Sequence, residues 1–152
     1  MFSPKKIEAS QIIFIPGGFS GGDEPDGSAK FICSFLRNGR LTDAVHDLLK
    51  RRDGLMLGIC NGFQALIKLG LVPYGEIRAM DEGCPTLTFN TIGRHQSMLV
   101  RTRIASTGSP WLSKCEVANS SPLPSATARA ALWPAMKCWQ NCAKTGRLPP
   151  SM

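Results

Sequence analysis

The sequence predicts an α/β fold in which helices pack on buried parallel strands. Residues 11–15 (QIIFI) and 55–59 (LMLGI) are short apolar runs, as expected of strands that are buried on both faces of a parallel sheet. Between residues 63 and 69 the apolar residues recur at helical spacing, and Gly70 is a suitable helix end. The second run therefore predicts a strand that leads directly into a helix.

Cys60 lies where this predicted strand changes into the helix, in the sequence GICNG. Gly58 and Gly62 stand two residues on either side, and a side chain at either position would crowd a tight turn. The pattern G-x-C-x-G is the thiol counterpart of the G-x-S-x-G nucleophile elbow. A helix N-terminus also favours the thiolate, which is the reactive form of cysteine. The spacing predicts a nucleophile, and a buried structural cysteine beside a glycine-rich turn is the alternative.

A glycine-rich loop, PGGFSGGD, follows the first predicted strand at residues 16–23. Such a loop can direct a backbone N–H of Gly17 or Gly18 towards the edge of the neighbouring strand, where an oxyanion hole opposite Cys60 would form. A flexible connector is the other interpretation. A phosphate-binding loop is disfavoured because neither G-x-G-x-x-G nor a Walker lysine pattern is present.

Three stretches resemble one enzyme family closely: IPGGFSGGDEPDGSAKFI, RDGLMLGICNGFQALIKLGLVPYGEI and CPTLTFNTIGRHQSMLV. They are similar to the C-terminal glutamine amidotransferase domain of phosphoribosylformylglycinamidine synthases, over residues 11–117. The resemblance implies a class I, triad-type glutaminase with a flavodoxin-like parallel sheet flanked by helices. Compared with that family the domain looks incomplete at both ends, because an early strand and helix normally precede the QIIFI strand.

The resemblance also implies roles for individual residues. Cys60 would attack the side-chain amide of glutamine, giving a thioester and free ammonia. The backbone N–H groups of Asn61, Gly17 and Gly18 would form the oxyanion hole, and Gln64 would lie near the substrate. The segment 90–96 would border the glutamine pocket, through Asn90, Arg94, His95 and Gln96.

The resemblance implies no cofactor for this domain, since ATP and Mg belong to the synthase domain of the family. That domain uses the ammonia to convert formylglycinamide ribonucleotide into its amidine in purine biosynthesis. Glutamine and the synthase domain or subunit are therefore the expected partners.

The family's general base is a histidine, oriented by a glutamate, in a late SHGEGRF segment that this sequence lacks. His46 falls in a predicted amphipathic helix over residues 41–50, where a solvated or half-buried face is the simpler interpretation. His95 lies in the pocket-bordering segment. Two alternatives to the family function thus stay open: another cysteine-elbow hydrolase that uses His95 as its base, and a catalytically silent fragment that only packs on a synthase partner.

From residue 118 the composition changes, with no Asp or Glu and five of the eleven prolines, which predicts an irregular tail. A one-base frameshift accounts for it. Possible codons for S-H-G-E-G-R-F-V, when read one base later, encode ATARAALW, which is the sequence of residues 126–133. Loss of one base from the glycine codon of V-G-E-F-F-T-I-A-I yields residues 117–125 in the same way. We therefore predict a partial amidotransferase domain over residues 1–117 and a frame-shifted tail over residues 118–152.

The net charge of +7 is not a sign of nucleic-acid binding. Residues 1–116 hold 14 basic and 11 acidic residues, whereas the shorter tail adds four basic and no acidic ones. Neither a basic stripe nor interleaved aromatic residues are present. The six cysteines form no C-x-x-C pair, so neither a metal site nor a disulfide framework is predicted. No secretory or membrane-spanning segment is seen, which makes the cytoplasm the expected location.

Overall fold

The computed structural model describes residues 3–18, 29–127 and 131–133 of the 152-residue chain. By spatial contacts the chain divides into two compact units, Met1–Asp81 and Glu82–Met152.

The first unit has the α/β architecture that the sequence predicts. Its elements are α1 (Pro4–Glu8), β1 (Ile12–Ile15), α2 (Lys30–Leu36), α3 (Gly39–Lys50), β2 (Leu55–Gly58), α4 (Asn61–Leu69) and α5 (Leu71–Tyr74). Strands β1 and β2 pair in parallel, with Ile12 opposite Leu55 and Ile15 opposite Gly58. The predicted parallel sheet flanked by helices is thereby confirmed.

The core of this unit lies on one face of the sheet. Ile13 and Ile15 are each only 4% exposed, whereas Ile12 and Phe14, on the opposite face of β1, are about half exposed. The apolar side of helix α3 packs against the same core. The helix predicted over residues 41–50 corresponds to α3. Since a parallel sheet is ordinarily covered on both faces, one face of β1 has less apolar cover than its sequence suits.

Arg52 joins the beginning of the chain to the end of α3. Its guanidinium donates to three carbonyl oxygens that follow or end α1, those of Ile7 at 3.0 Å, Glu8 at 2.7 Å and Ser10 at 2.9 Å. Its Nε also donates to the carboxylate of Asp47 at 2.8 Å. The last carbonyls of a helix have no partner within it, so one arginine both satisfies α1 and fixes its distance from α3.

The second unit is built from antiparallel pairs. Its elements are β3 (Thr86–Thr88), β4 (Gln96–Arg103), a 3₁₀ helix (Pro110–Leu112), β5 (Ser120–Thr127) and β6 (Ala131–Trp133). Strand β3 pairs with β6, and β4 pairs with β5. No residue of β4 or β5 is buried, so this ribbon is held mainly by its backbone ladder.

The irregular tail expected from residue 118 is not what the structure has at residues 120–127, which form β5. The prolines of this strand lie opposite Leu99 and Arg101, two residues apart. Hydrogen-bonded and non-hydrogen-bonded positions alternate along an antiparallel ladder, and the Ile104 N–H donates to the Asn119 carbonyl oxygen. Counting in steps of two from this pair, Pro122 and Pro124 both occupy non-hydrogen-bonded positions, where an N–H would face away from β4. Proline costs a strand little at such positions, which is why the pattern misled the prediction. The frameshift itself stays a prediction.

We expect Arg52→Ala to lower the free energy of unfolding by about 1.5–3 kcal/mol, the range for hydrogen bonds to a charged group. Arg51→Ala is the matched control, because Arg51 pairs with the same Asp47 from a side chain that is 79% exposed. An exposed pair of this kind is worth about 0–1 kcal/mol. Urea unfolding of the full chain, followed by circular dichroism, measures both. Equal losses in the two variants would contradict the role given to Arg52.

Candidate active site

The turn between β2 and α4 is a strained elbow centred on Cys60. The strand ends at Gly58, the helix begins at Asn61, and Cys60 has φ 53° and ψ −112°. Few residues other than glycine adopt a backbone of this kind, and holding one there costs about 1–3 kcal/mol. The side chain of Cys60 is exposed. The thiol therefore stands at the carboxyl end of a parallel strand, at the N-terminus of a helix.

The two glycines of the elbow are required by close backbone packing. A Cβ placed on Gly62 would lie 2.1 Å from the carbonyl oxygen of Ile15, at the end of β1. A Cβ on Gly58 would lie 2.6 Å from the carbonyl oxygen of Gly62. The Ile59 N–H also donates to the Ile15 oxygen at 3.1 Å. The elbow is thus pressed against the adjacent strand, and side chains at these places are excluded, as the sequence pattern predicted.

Gly17 lies directly beside the cysteine. A Cβ on Gly17 would stand 2.8 Å from the Cβ of Cys60 and 3.6 Å from its Sγ. The next residue, Gly18, has φ 113°, which glycine adopts far more readily than other residues. The loop after β1 and the elbow after β2 therefore meet at one edge of the sheet.

Two polar side chains of α4 are buried beneath the elbow. Asn61 is 6% exposed and Gln64 is 9% exposed. The Gln64 N–H donates to the carbonyl oxygen of Cys60 at 3.1 Å, which forms the first turn of the helix. Five residues singled out in the sequence, Cys60, Gly17, Gly18, Asn61 and Gln64, are thus gathered in the first unit.

The other four candidate residues lie in the second unit. Asn90 begins a turn that is closed by the Gly93 N–H, which donates to the Asn90 carbonyl oxygen at 2.9 Å. The Asn90 side chain donates through Nδ2 to the carbonyl oxygens of Arg94, at 3.1 Å, and of Thr127, at 2.8 Å. His95 and Gln96 are exposed where β4 begins.

Asn90 was a candidate from the sequence, whereas its hydrogen bond to Thr127 is seen only in the structure. The turn itself was readable, because asparagine at the first position and glycine at the fourth are typical of a type I turn. The long-range contact was not readable, since it depends on the pairing of β4 with β5. The segment 90–96 is consequently anchored to the end of β5.

No group of three histidine, cysteine or acidic residues that could hold a metal ion occurs among the residues that the structure describes. Within the same residues, no helix has the length and apolar character needed to cross a membrane.

An exposed cysteine on a strained strand-to-helix turn, beside a glycine loop at the edge of a parallel sheet, defines an α/β protein with a nucleophile elbow. The family follows from the whole chain. Residues 2–146 match the CobB/CobQ-like glutamine amidotransferase domain, and the chain belongs to this family.

The chain is also similar to individual proteins. It is 37% identical over 95 residues to the phosphoribosylformylglycinamidine synthase subunit PurQ of Dehalococcoides mccartyi, covering 61% of this chain and 34% of that protein. It is 33% identical over 103 residues to the subunit PurQ of Picrophilus torridus, covering 66% and 37%. Identity to the phosphoribosylformylglycinamidine synthase of Dictyostelium discoideum is 34% over 88 residues, covering 58% and 6%. The matched region thus spans about a third of each PurQ subunit. No solved structure matches.

We expect Gly62→Ala to destabilise the protein by about 1–3 kcal/mol or more, because the new methyl group would collide with the backbone of β1. Gly39→Ala is the control, since a Cβ there meets nothing within 4 Å and the position opens α3. It should stabilise by up to about 1 kcal/mol. Thermal and urea unfolding give both values. A Gly62→Ala chain as stable as the original would show that the elbow does not pack on β1 in this way.

Proposed function

We propose that this chain is a glutaminase part of a phosphoribosylformylglycinamidine synthase, which hydrolyses glutamine and supplies ammonia in purine biosynthesis. One observation carries the proposal: an exposed Cys60 on a strained elbow, with Gly17 against it, in a member of a glutamine amidotransferase family. The names of the PurQ relatives support the choice of synthase.

In the proposed reaction the Cys60 sulfur, as thiolate, attacks the side-chain carbonyl carbon of glutamine. The new C–S bond forms as the carbonyl oxygen takes up negative charge. When the carbonyl re-forms, the C–N bond breaks and the nitrogen leaves as ammonia after receiving a proton. Water then hydrolyses the thioester, which releases glutamate and restores the thiol.

The oxyanion would be stabilised by backbone N–H groups from two sides. Asn61 supplies the first N–H of α4, where the helix dipole favours negative charge. Gly17 and Gly18 supply the other side, and the closeness of Gly17 to Cys60 supports this assignment. Donors fixed by the backbone in this manner need no rearrangement as the charge develops, which is what makes an oxyanion hole effective.

Gln64 and the turn containing Asn90, Arg94, His95 and Gln96 are proposed to hold the substrate. Gln64 lies one helical turn after the cysteine and is buried, so its side chain is held firmly. The Asn90 turn is closed by its own hydrogen bonds and by the bond to Thr127. A rigid turn of this kind suits the positioning of a small polar substrate.

The position at which the family's catalytic histidine would be restored supports the proposed frameshift. In the reconstructed reading the codon for the family's histidine overlaps the codon that specifies Thr127. Thr127 is the last residue of β5 and receives the hydrogen bond from Asn90. Histidine at that position would stand next to the turn proposed to border the glutamine pocket. The same shift converts the family's glutamate into Arg129, which lies outside the described residues.

The turn before β5 supports the same account. Ala118 is the third residue of a turn closed by the Asn119 N–H, which donates to the Glu116 carbonyl oxygen at 3.2 Å. Its φ is 72°, and a positive φ at this place calls for glycine. The restored reading has a glycine codon here. Loss of one base from that codon would leave alanine at a position whose backbone conformation favours glycine.

The remaining expectations form part of the same proposal. The ammonia would pass to a synthase domain or subunit that uses ATP and Mg, while this domain needs no cofactor of its own. The protein would work in the cytoplasm, and neither nucleic acid nor a membrane would be a partner.

We expect the chain as written to release ammonia from glutamine only weakly, while Cys60 still reacts with an alkylating glutamine analogue. General acid–base assistance is worth roughly 100- to 10,000-fold, so restoring the frame should raise turnover by about that factor. The comparison requires the restored chain to be assayed at full family length with its synthase, since the family pocket is completed by both. Ammonia release is the measurement.

Two control variants separate the alternatives for this assay. Cys60→Ala should abolish both ammonia release and labelling. In the proposed enzyme His95→Gln should raise the glutamine concentration needed for half-maximal turnover but leave turnover at saturating glutamine largely unchanged, whereas it would remove turnover at every concentration from a hydrolase that uses His95 as its base. If Cys60 is labelled but neither the original chain nor the frame-restored chain releases ammonia, the catalytically silent fragment is favoured. Resequencing across the codons for Val117 and Ala118 tests the frameshift directly.

We expect Ala118→Gly alone to stabilise the chain by about 1 kcal/mol, since it removes the cost of a left-handed alanine. Ala105→Gly is the matched control, because Ala105 has no positive φ and glycine there only adds freedom to the unfolded chain. It should cost about 0.4–1 kcal/mol. A destabilising effect of Ala118→Gly in urea unfolding would remove this support for the frameshift.

A further inference from the structure

We propose that His46 is a proton-sensitive clasp, which holds residues 76–78 against α3 while its imidazole is neutral and releases them when it is protonated. The clasp is independent of the proposed glutaminase function, because it involves none of the residues assigned to that site.

The key contact joins a ring nitrogen to a backbone donor. The Ile77 N–H donates to Nε2 of His46 at 2.9 Å, and the contact is partly buried. Nε2 accepts this hydrogen bond only if it carries no proton, so the neutral ring must hold its proton on Nδ1. Protonation of Nε2 would place two N–H donors opposite each other. The closed clasp therefore excludes the second proton.

Further contacts define the clasped segment as one unit. Lys50 pairs with Glu76 through Nζ and Oε2. The Arg78 N–H donates to the Leu69 carbonyl oxygen at 3.1 Å, and its guanidinium lies 4.3 Å from the centre of the Tyr74 ring. His46 supplies the contact at the middle of this segment, between an ion pair on one side and a backbone hydrogen bond on the other.

The side chain of Ile77 gives the segment a hydrophobic anchor. It packs, partly buried, against the core of the first unit. The Ile77 N–H leaves water when this side chain packs, and a buried N–H without an acceptor is costly. Loss of the His46 acceptor therefore opposes packing of the whole segment, not only one hydrogen bond.

Several charged groups lie on the elements that pack near the clasped segment. They come from three elements: Asp43 and Lys50 on α3, Arg37 at the end of α2, and Glu76 and Arg78 on the segment itself. The hydrogen bond and the charge of Lys50 lower the pKa of Glu76 from its ordinary value, so this carboxylate keeps its charge throughout the range from about pH 7.5 to 5.5. Histidine is the side chain that ordinarily changes charge between about pH 5 and 8.

The direction of the pH effect follows from which state can bind the proton. In the closed state Nε2 is occupied by the Ile77 N–H, whereas in the open state it is free to be protonated. The open state thus binds more protons, and local stability rises with pH through the histidine range. Acidification from about pH 7.5 to 5.5 should open the clasp.

The position of the clasp determines which residues its release would affect. Residues 76–78 come shortly before Asp81, the last residue of the first unit. Release would free the chain from the end of α5 up to that boundary, while the elbow of Cys60 keeps its own contacts with β1. The device therefore acts on the last residues of the first unit.

Hydrogen exchange of the full chain, measured by mass spectrometry on a peptide covering residues 75–81, tests the clasp. With exchange times corrected for intrinsic rates, protection should fall about tenfold between pH 7.5 and pH 5.5, as for the loss of one hydrogen bond. His46→Gln offers an acceptor oxygen that does not titrate, and should keep most of its protection at both pH values. His46→Leu should be weakly protected at both.

Lys50→Met is the matched control on the same helix. It removes the ion pair, so protection should drop by a similar factor at both pH values and leave the pH dependence intact. An equal fall in the original chain and in His46→Gln would overturn the proposal, as would no fall in the original chain.

A second measurement does not depend on the folding of any variant. Long-range ¹H–¹⁵N correlation spectra of the unmodified chain at pH 7.5 report which ring nitrogen of His46 carries the proton. The clasp requires Nδ1–H. A spectrum of the Nε2–H form would overturn it.

Discussion

The close approach of Gly62 to the Ile15 carbonyl is the contact on which the candidate site depends. It seats the first turn of α4 on the end of β1 and, by doing so, forces the residue between strand and helix into a backbone that few side chains tolerate. The strain at Cys60 is maintained because the two strands, the helix and the loop after β1 all meet there. The thiol is exposed as a result of packing beneath it, and the position of Gly17 follows from the same parallel pairing of β1 with β2.

Much of this arrangement could be predicted because the signals are local. Two apolar runs, a helical repeat and the spacing of glycines around Cys60 were sufficient to place a strand, an elbow and a helix. The role of His46 was not accessible in this way. A position on a solvated or half-buried face of a helix was predicted, but its partner is a backbone N–H 31 residues later, at Ile77. Contacts of that kind depend on tertiary packing and leave no periodic trace in the sequence.

In residues 120–127 the backbone is regular although the sequence does not predict it. Its serines and prolines have little preference for a strand, yet residues 120–127 pair with β4 along their full length. The pairing is tolerated because the two prolines fall at equivalent positions, and because an exposed ribbon demands no particular side chain from β5. The composition of this segment is unusual, but composition cannot reveal which neighbouring strand will pair with it. The positive φ of Ala118 is the more informative feature, since there the backbone and the written residue disagree.

The uneven cover of β1 has a consequence for the life of the chain in a cell. Ile12 and Phe14 leave about half of their surface in water, next to one another on an otherwise regular strand. Apolar surface of this kind is what chaperones and quality-control proteases recognise on incompletely assembled chains. A protein that covered Ile12 and Phe14 would therefore also hide the chain from this recognition.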